Sequence, residues 1–520
     1  MKPFHAIPCC LLMLHVSTAH AQEDKLKMKI RLLPEAESPD KRPPVNVFPL
    51  GRTVMVLRST QSSDPVQSYS KQMPRFELYD RTKLTLLRGQ DPVLKVKAGE
   101  LFLEQLALFG GEPVMIAMRR DTVQGVVELY WQRVDPNLTK PHGLFEKLCA
   151  FDTRTWGSGA KVSSGQGYRD RFETSLSPDG KHMVIYSQGI TAGDGDLMRP
   201  FAMVGPGMEL LWYHTPEIEG KAPLVGMQAT NDGTAWLLER HRFTPADPKK
   251  DSTTFRLKLF RADKEDIEEV EFGLDKDRHV KSAVLRPLDD GRIACAGLFG
   301  GLNPKGERII GEFLGMFPPG ADKMQVVYQR VFKMETDDAS YTNGSMRIVD
   351  VLPRGDGGFY MLREYHLETD KVDAKTAMSG LRWIHGPLVI TNVDKDGKEA
   401  WSTVFRRLFY SPDRMVHEPI ALVYEGKFML FMLDNDQQME KRKKDDRKLL
   451  HTDTKSPYST YVLFNEQGGF KSKAILQGKE GTEYLLGDRF WPMAPNDHVG
   501  VGSIRMNGKN PQLLRLELGQ

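Results

Sequence analysis

Short apolar runs, each following a tight-turn signal, recur along the whole chain. Leu50-Gly51 precedes Val54–Leu57, Gly110-Gly111 precedes Val114–Met118, Asp179-Gly180 precedes Met183–Tyr186, and Asp232-Gly233 precedes Ala235–Leu238. The pattern continues with Asp290-Gly291 before Ile293–Ala296 and Asp356-Gly357 before Phe359–Leu362. It ends with Glu425-Gly426 before Phe428–Phe431 and Asn496-Asp497 before Val499–Gly502. Gly, Asn and Asp tolerate the positive φ that the favoured hairpin turns require, so each pair predicts two antiparallel strands joined tightly. Apolar residues at helical spacing are sustained almost nowhere, which makes the chain all-β.

The markers Gly51, Gly111, Gly180, Gly233, Gly291, Gly357, Gly426 and Asp497 stand 53 to 71 residues apart. That is longer than the common propeller repeats, yet four short strands with their loops fit within it. Third strands are predicted at Phe76–Tyr79, Val126–Tyr130, Phe255–Phe260, Leu388–Thr391 and Tyr461–Phe464, and fourth strands at Leu84–Leu87, Val326–Tyr328 and Ala474–Leu476. The expectation is a single β-propeller over residues 22–520 with eight four-stranded blades, seven being the alternative if one unit is an appendage. The last unit runs through Phe490–Met493, Val499–Ile504 and Leu513–Leu518 and then stops. Leu26–Leu33 is a strand with no unit of its own, and pairing it with Leu513–Leu518 would close the ring and remove an exposed edge.

The first residues read differently. Lys2, an apolar run from Ile7 to Val16, and Ala19-His20-Ala21 form the three parts of a secretory signal peptide over residues 1–21. Cleavage is expected after Ala21, since Cys9 and Cys10 stand at the start of the apolar run rather than at its lipoprotein end. Export to the periplasm or beyond is therefore expected, with no transmembrane segment in the mature chain. Basic and acidic residues number 72 and 69. A nucleic-acid binder carries a concentrated basic excess, so this balance argues against that class. Cys149 and Cys295 lie in apolar surroundings in units far apart, and are expected to be buried thiols rather than a bridge.

The most recognisable stretch is Asp356–Tyr360 followed by Leu388–Asp394, Gly397 and Trp401–Phe405, with a fainter echo at Met208–Trp212. It resembles the repeats of secreted bacterial β-propellers, including the PQQ-like, tryptophan-docking type. The resemblance implies that a turn glycine and the tryptophan after it lock neighbouring blades together. Quinoprotein dehydrogenases carry that tryptophan in most blades. The seven tryptophans here are irregularly placed, so no cofactor-binding residue carries over and no cofactor is expected.

Candidate chemistry is sparse. Asp-Arg recurs just before the first strand of four units, as Asp170-Arg171, Asp277-Arg278, Asp413-Arg414 and Asp488-Arg489. Arg171, Arg278, Arg414 and Arg489, with Asp170 and Asp488, could form a cationic collar around one mouth of the central channel, able to hold a carboxylate or sulfate through paired hydrogen bonds. The plainer reading gives each arginine a neighbouring acid and a purely structural role. Gly193–Asp196 and Asp394–Glu399 offer carboxylates on flexible backbone but lack the twelve-residue calcium-loop pattern, so they read as turns and no metal is expected. Met439–Lys448 mixes both charges and reads as a solvated excursion within unit seven. His417-Glu418 lacks a second histidine at zincin spacing, and neither Gly-x-Ser-x-Gly nor a phosphate-binding Gly-Lys loop occurs.

These features predict a monomeric, non-enzymatic scaffold binding a protein or glycan partner. The alternative is an enzyme acting on a polysaccharide or small anion at the channel mouth, with catalytic residues that converge only in three dimensions.

Overall fold

The computed structural model describes residues 27–32, 42, 44–59, 74–121, 123–140, 143–152, 172–187, 190–191, 197–219, 222–243, 254–275, 277–301, 309–332, 346–369, 382–411, 419–443, 458–476, 484–485, 491–494, 497–505 and 512–519. The described residues form a single all-β propeller of four-stranded antiparallel sheets. Blade one comprises Pro44–Leu50, Thr53–Arg58, Arg75–Asp80 and Leu86–Gln90, and blade two comprises Phe102–Phe109, Glu112–Asp121, Val126–Arg133 and Glu146–Asp152. Blade three uses Phe172–Leu176, Met183–Ser187, Phe201–Val204 and Leu210–His214. Blade four uses Leu224–Ala229, Ala235–Phe243, Thr254–Ala262 and Ile267–Val270. Blade five runs through Arg278–Pro287, Ile293–Gly301, Ile309–Phe317 and Gln325–Val331, and blade six through Met346–Pro353, Phe359–Thr369, Arg382–Val393 and Glu399–Phe405. Blade seven is Ile420–Tyr424, Lys427–Asp434, Tyr458–Phe464 and Phe470–Leu476.

Where the repeat count predicts eight blades, seven blades of four strands are thus built in chain order, with a small hairpin of Ile190–Thr191 and Leu197–Met198 inserted in blade three. The last repeat does not make a blade of its own. Its strand Asp497–Arg505 is flanked on one side by two short pieces, Tyr484–Leu485 and Trp491–Ala494, and on the other by Gln512–Gly519. The fourth place is taken by Lys27–Leu32, which pairs antiparallel with Gln512–Gly519 from Lys27 opposite Gly519 to Leu32 opposite Leu514. This is the ring-closing pairing expected of Leu26–Leu33 with Leu513–Leu518, although the sheet it completes was counted as an eighth blade.

The core lies between blades rather than within them. Met55, Leu57, Phe76 and Leu78 of blade one pack on Met115, Ala117 and Tyr130 of blade two. Leu352, Leu362, Ile390 and Trp401 of blade six pack on Phe428, Leu430, Val462 and Phe464 of blade seven. Alternation along each strand sends one set of side chains to each neighbouring blade, so second and third strands are apolar on both faces. Tryptophans reinforce two junctions. Trp212 Nε1 donates to the carbonyl of Gly233 in the next blade's turn at 3.1 Å, and Trp401 stacks on Phe464 with ring centroids 5.9 Å apart. Cys149 and Cys295 are buried and unbridged, as expected, and burial raises both thiol pKa values.

One helix, Asp436–Lys443, follows the second strand of blade seven. Its Asn435 cap accepts from Gln438 N at 2.9 Å. Gln438 is buried and pairs both ways with Leu408, accepting from its backbone N at 3.1 Å and donating to its carbonyl at 2.7 Å. These two hydrogen bonds satisfy the backbone of the chain leaving blade six; within the Met439–Lys448 segment Arg442 donates to the Arg406 carbonyl at 3.0 Å, and residues 444–448 lie outside the described residues.

Candidate functional site

The antiparallel meander puts two kinds of connection on opposite faces of the disc. On one face the first and second strands of each blade meet in tight turns such as Gly233, at φ 80°. Neighbouring turns are tied into a belt. Gly110 N donates to Gly180 O at 2.9 Å, Asp179 N to Asn231 Oδ1 at 3.1 Å, and Asn231 Nδ2 to Asp289 O at 3.3 Å. On the other face run the long connections, including those from Arg58 to Arg75, Ser187 to Phe201, Thr369 to Arg382 and Asp434 to Tyr458. Long loops on a rigid scaffold are where propellers carry binding residues. The Asp-Arg pairs were expected on this second face.

Among them, Arg278 is described and begins the innermost strand of blade five. Its Nη2 lies 3.1 Å from Asp275 Oδ2, and its guanidinium sits 5.0 Å from the centroid of the Phe299 ring. Asp170, Arg171, Arg414, Asp488 and Arg489 lie outside the described residues. Of the acidic loops, Gly193–Asp196 also lies outside them. Asp394 closes a turn by accepting from the backbone N of Asp396 and Lys398 at 2.9 and 2.8 Å, while Glu399 binds Tyr328 and Arg330.

Beneath the long-loop face lies a feature that sequence reasoning missed: buried glutamates in five consecutive or near-consecutive blades, each joined to an arginine. Glu77 of blade one accepts from Arg58 and Tyr79, and Glu128 of blade two from Arg119 at 2.8 Å, Lys147 at 2.6 Å and Tyr130 at 2.9 Å. Burial alone would raise the Glu128 pKa, but these donors hold it down at about 2. Arg199 and His241 share Glu239 at the junction of blades three and four, and Glu312 of blade five takes Tyr328 and lies 2.9 Å from Arg363 of blade six. The signal was present in the third strands: Phe76–Tyr79 and Val127–Tyr130 share Glu-Leu-Tyr, where side chains two residues apart share a face and bring the hydroxyl to the carboxylate.

The densest cluster is in blade six. Glu364 accepts from Arg347 at 2.6 Å, from the fully buried Arg407, and meets His385 Nδ1 at 2.9 Å. The His385 ring lies 4.9 Å from that of His366. Burial works against the carboxylate, yet the His385 contact and two guanidinium charges hold its pKa far below the usual range. Burial pushes the His385 pKa down in turn. Farther along the same junction Asp434 pairs with Arg442 of the helix, and burial raises its pKa despite that partner. Each of these carboxylates is paired with a guanidinium, so removing one partner would leave the other charge buried without it.

The junction of blades four and five is bridged by a lysine. Blade five's inner strand carries a bulge at Lys281, between Val280 and Ser282. Bulges re-aim side chains, and Lys281 Nζ reaches across to the carbonyl of Phe255 in blade four at 3.1 Å. The same irregularity recurs in the inner strands of blades two and six. Glu104, the extra residue of blade two, accepts from Phe172 N of blade three at 2.8 Å. Next to Lys281 stands half-buried His279, whose pKa is pushed down to about 4 by burial and by the charges of Lys281 and Arg256. Arg240 covers Phe255 at 4.2 Å from the ring centroid.

Fold and site together define a β-propeller with one belted face and one loop-bearing face. No family model and no curated protein matches the sequence. Solved structures similar to it are propellers. The β-propeller domain of the Trilobed protease from Pyrococcus furiosus is 10% identical, at a TM-score of 0.39 over 92% of this chain and 95% of that one. The WD40 domain of SCAP from fission yeast is 6% identical, at a TM-score of 0.37 over 96% of each chain. A polysaccharide lyase of the PL25 ulvan lyase family is also 6% identical, at a TM-score of 0.35 over 69% and 80%.

Proposed function

We propose that this chain is an exported, non-enzymatic scaffold that holds a protein or glycan partner on its long-loop face. The observation that carries the reading is the unlike build of the two faces. Turn-to-turn hydrogen bonds make the belted face short and rigid, and the opposite face receives every long connection between second and third strands. The engagement of the buried glutamates by arginine supports a binding role, since a general acid or base needs a carboxyl free to exchange its proton. In this reading the composite sheet closes the ring, contacting blade one on one side and blade seven on the other. The docked Trp212 and Trp401 would act as in tryptophan-docking repeats, and Arg278, at the start of blade five's inner strand, would be one member of the expected arginine collar.

A thermal-shift screen of the mature chain against glycans and exported proteins tests this. A true ligand raises the melting temperature by mass action. The shift is expected to survive Asn231→Ser on the belted face and to disappear when the Thr369–Arg382 connection is shortened. Turnover of a polysaccharide by the purified chain would overturn the reading in favour of an enzyme.

A further inference from the structure

Arg58, Arg119, Arg199, Arg347 and Arg407 each have a glutamate beneath the long-loop face. Blade four adds two arginines that do not. They stand at the end of its second strand, Ala235–Phe243, where the long connection to Thr254 begins. Alternation there sends Trp236 and Leu238 into the core shared with blade five, and Glu239 and His241 to the other side, where Arg199 takes the glutamate. Arg240 and Arg242 continue the face of Trp236 and Leu238, are exposed, and form no ion pair among the described residues. Phe255 of the third strand shares that face. It pairs directly across from Arg242 and diagonally from Arg240, whose guanidinium sits 4.2 Å from the ring centroid. The Phe255 side chain is 36% exposed. The facing strand of blade five ends in Gly301, on the side that carries Phe299 into the shared core, so that strand end adds no side chain over the junction. Two hydrogen bonds fix the backbone under the patch: Arg240 N donates to Pro223 O at 3.0 Å, and Lys281 Nζ of blade five donates to Phe255 O at 3.1 Å.

We infer that Arg240, Arg242 and Phe255 form a subsite for an acidic glycan, the ring receiving the apolar face of a sugar and the guanidiniums its carboxylate or sulfate groups. The inference rests on the scaffold reading above and narrows its ligand. Residues two apart on a strand stand about 7 Å from each other. The two cations therefore flank a space the width of one sugar ring, and each can present paired donors to a separate anionic group. A guanidinium already held over an aromatic ring has less rotamer freedom left to lose on binding. An acidic peptide could pair with the arginines but has no flat C–H face to lay on Phe255, so the exposed ring favours the glycan.

The test titrates the whole chain by calorimetry at a low, fixed ionic strength, where exposed charges are least screened. The probes are tetragalacturonate, its uncharged methyl ester, a heparin-derived tetrasaccharide and tetraglutamate. Saturable binding of tetragalacturonate or of the heparin fragment is expected, the first marking carboxylate and the second sulfate as the anion. Whichever acidic sugar binds should do so at least tenfold more tightly than the ester. Arg240→Gln/Arg242→Gln should lower that affinity at least tenfold with an unchanged melting temperature, and Arg240→Lys/Arg242→Lys should keep part of it through charge alone. Phe255→Leu should weaken the sugar by about threefold, the worth of one aromatic contact, and leave any tetraglutamate binding as it was. Undiminished binding by the glutamine double variant would overturn the subsite while the scaffold reading stands. Tetraglutamate binding as tight as that of the acidic sugars, with no effect of Phe255→Leu on either, would overturn the glycan in favour of an acidic peptide. Failure of all four probes would also overturn the subsite, and the scaffold reading falls only if the wider screen of glycans and proteins fails too.

Discussion

Glu364 and Arg407 form an ion pair inside blade six with neither side chain exposed to solvent. Arg347 and His385 complete the set around the same carboxylate. Two charges removed from water are stable only together, and removing one partner of such a pair typically costs about 3–5 kcal/mol. Glu364→Ala leaves two guanidinium groups beside a void and should lower unfolding stability by that amount in a chemical denaturation experiment. Glu364→Met combined with Arg407→Met removes both charges, and should be less destabilising than Glu364→Ala alone. An additive double variant would show that the pair is not coupled.

Blade five contains a reciprocal arrangement of glycine and phenylalanine. Gly297 is opposite Phe313, and Phe299 is opposite Gly311, on adjacent strands. Each ring lies over the glycine across from it, so a methyl group added at Gly297 or Gly311 would overlap the facing ring. Both phenylalanines are fully buried. Gly297→Ala and Gly311→Ala should each destabilise the fold by about 1–3 kcal/mol, the usual cost of forced overpacking. Because Phe299 also supports Arg278, Gly311→Ala should weaken any ligand held near the start of that strand, whereas a comparable change in blade one should not. Parallel unfolding and binding measurements on the two variants decide this.

Ring closure gives a third prediction. The Lys27–Leu32 strand pairs along its whole length with Gln512–Gly519. Without it that strand presents a row of unpaired backbone groups. A chain beginning after Leu32 should unfold at lower denaturant concentration and self-associate in sedimentation experiments. Adding back a peptide of residues 26–33 should reverse both effects, and no effect of the truncation would show that the strand is dispensable for closure.

The rhythm of the fold was legible because its cause is local. A turn residue that tolerates positive φ, followed by an apolar run, reports a hairpin wherever it occurs, and it placed the second strands of all seven blades. The pairing of the first strand with the last was legible because the final unit lacked a strand and the first strand had no unit, and it is found between Lys27–Leu32 and Gln512–Gly519; only the counting of that composite sheet as an eighth blade failed. The helix Asp436–Lys443 was missed for a different reason. Its residues are nearly all polar, so no apolar stripe announced it, and its stability comes from the Asn435 cap and the Gln438–Leu408 hydrogen bonds. Buried charge was hidden most completely: Arg58, Arg199 and Arg407 look like surface residues in sequence and are fully buried. The repeated Glu-Leu-Tyr of the first two blades was the one available hint. The reach of Lys281 to the Phe255 carbonyl depends on a bulge, and nothing in the sequence reveals one.

Two groups with opposite proton chemistry should divide the acid unfolding curve into separate windows. Glu128 has its pKa lowered from an ordinary value near 4.5 to about 2, because the donors Lys147, Arg119 and Tyr130 outweigh burial. A lowered carboxyl contributes stability that is full above 4.5 and is lost as the pH falls from there towards 2. His279 is lowered from near 6.5 to about 4 by burial and the adjacent charges. The unfolded chain binds a proton there from pH 6.5 downward while the folded chain does not, so stability falls between 6.5 and 4 and is level below. Each shift would correspond to about 3 kcal/mol without screening, and partial solvent exposure reduces that to about 1–2 kcal/mol. Unfolding free energy measured against pH should therefore decline in both windows. His279→Gln should flatten the slope between pH 6.5 and 4 and leave the lower window intact, and Glu128→Gln should do the converse. If His279→Gln leaves the upper slope unchanged, the histidine is not held neutral by its surroundings.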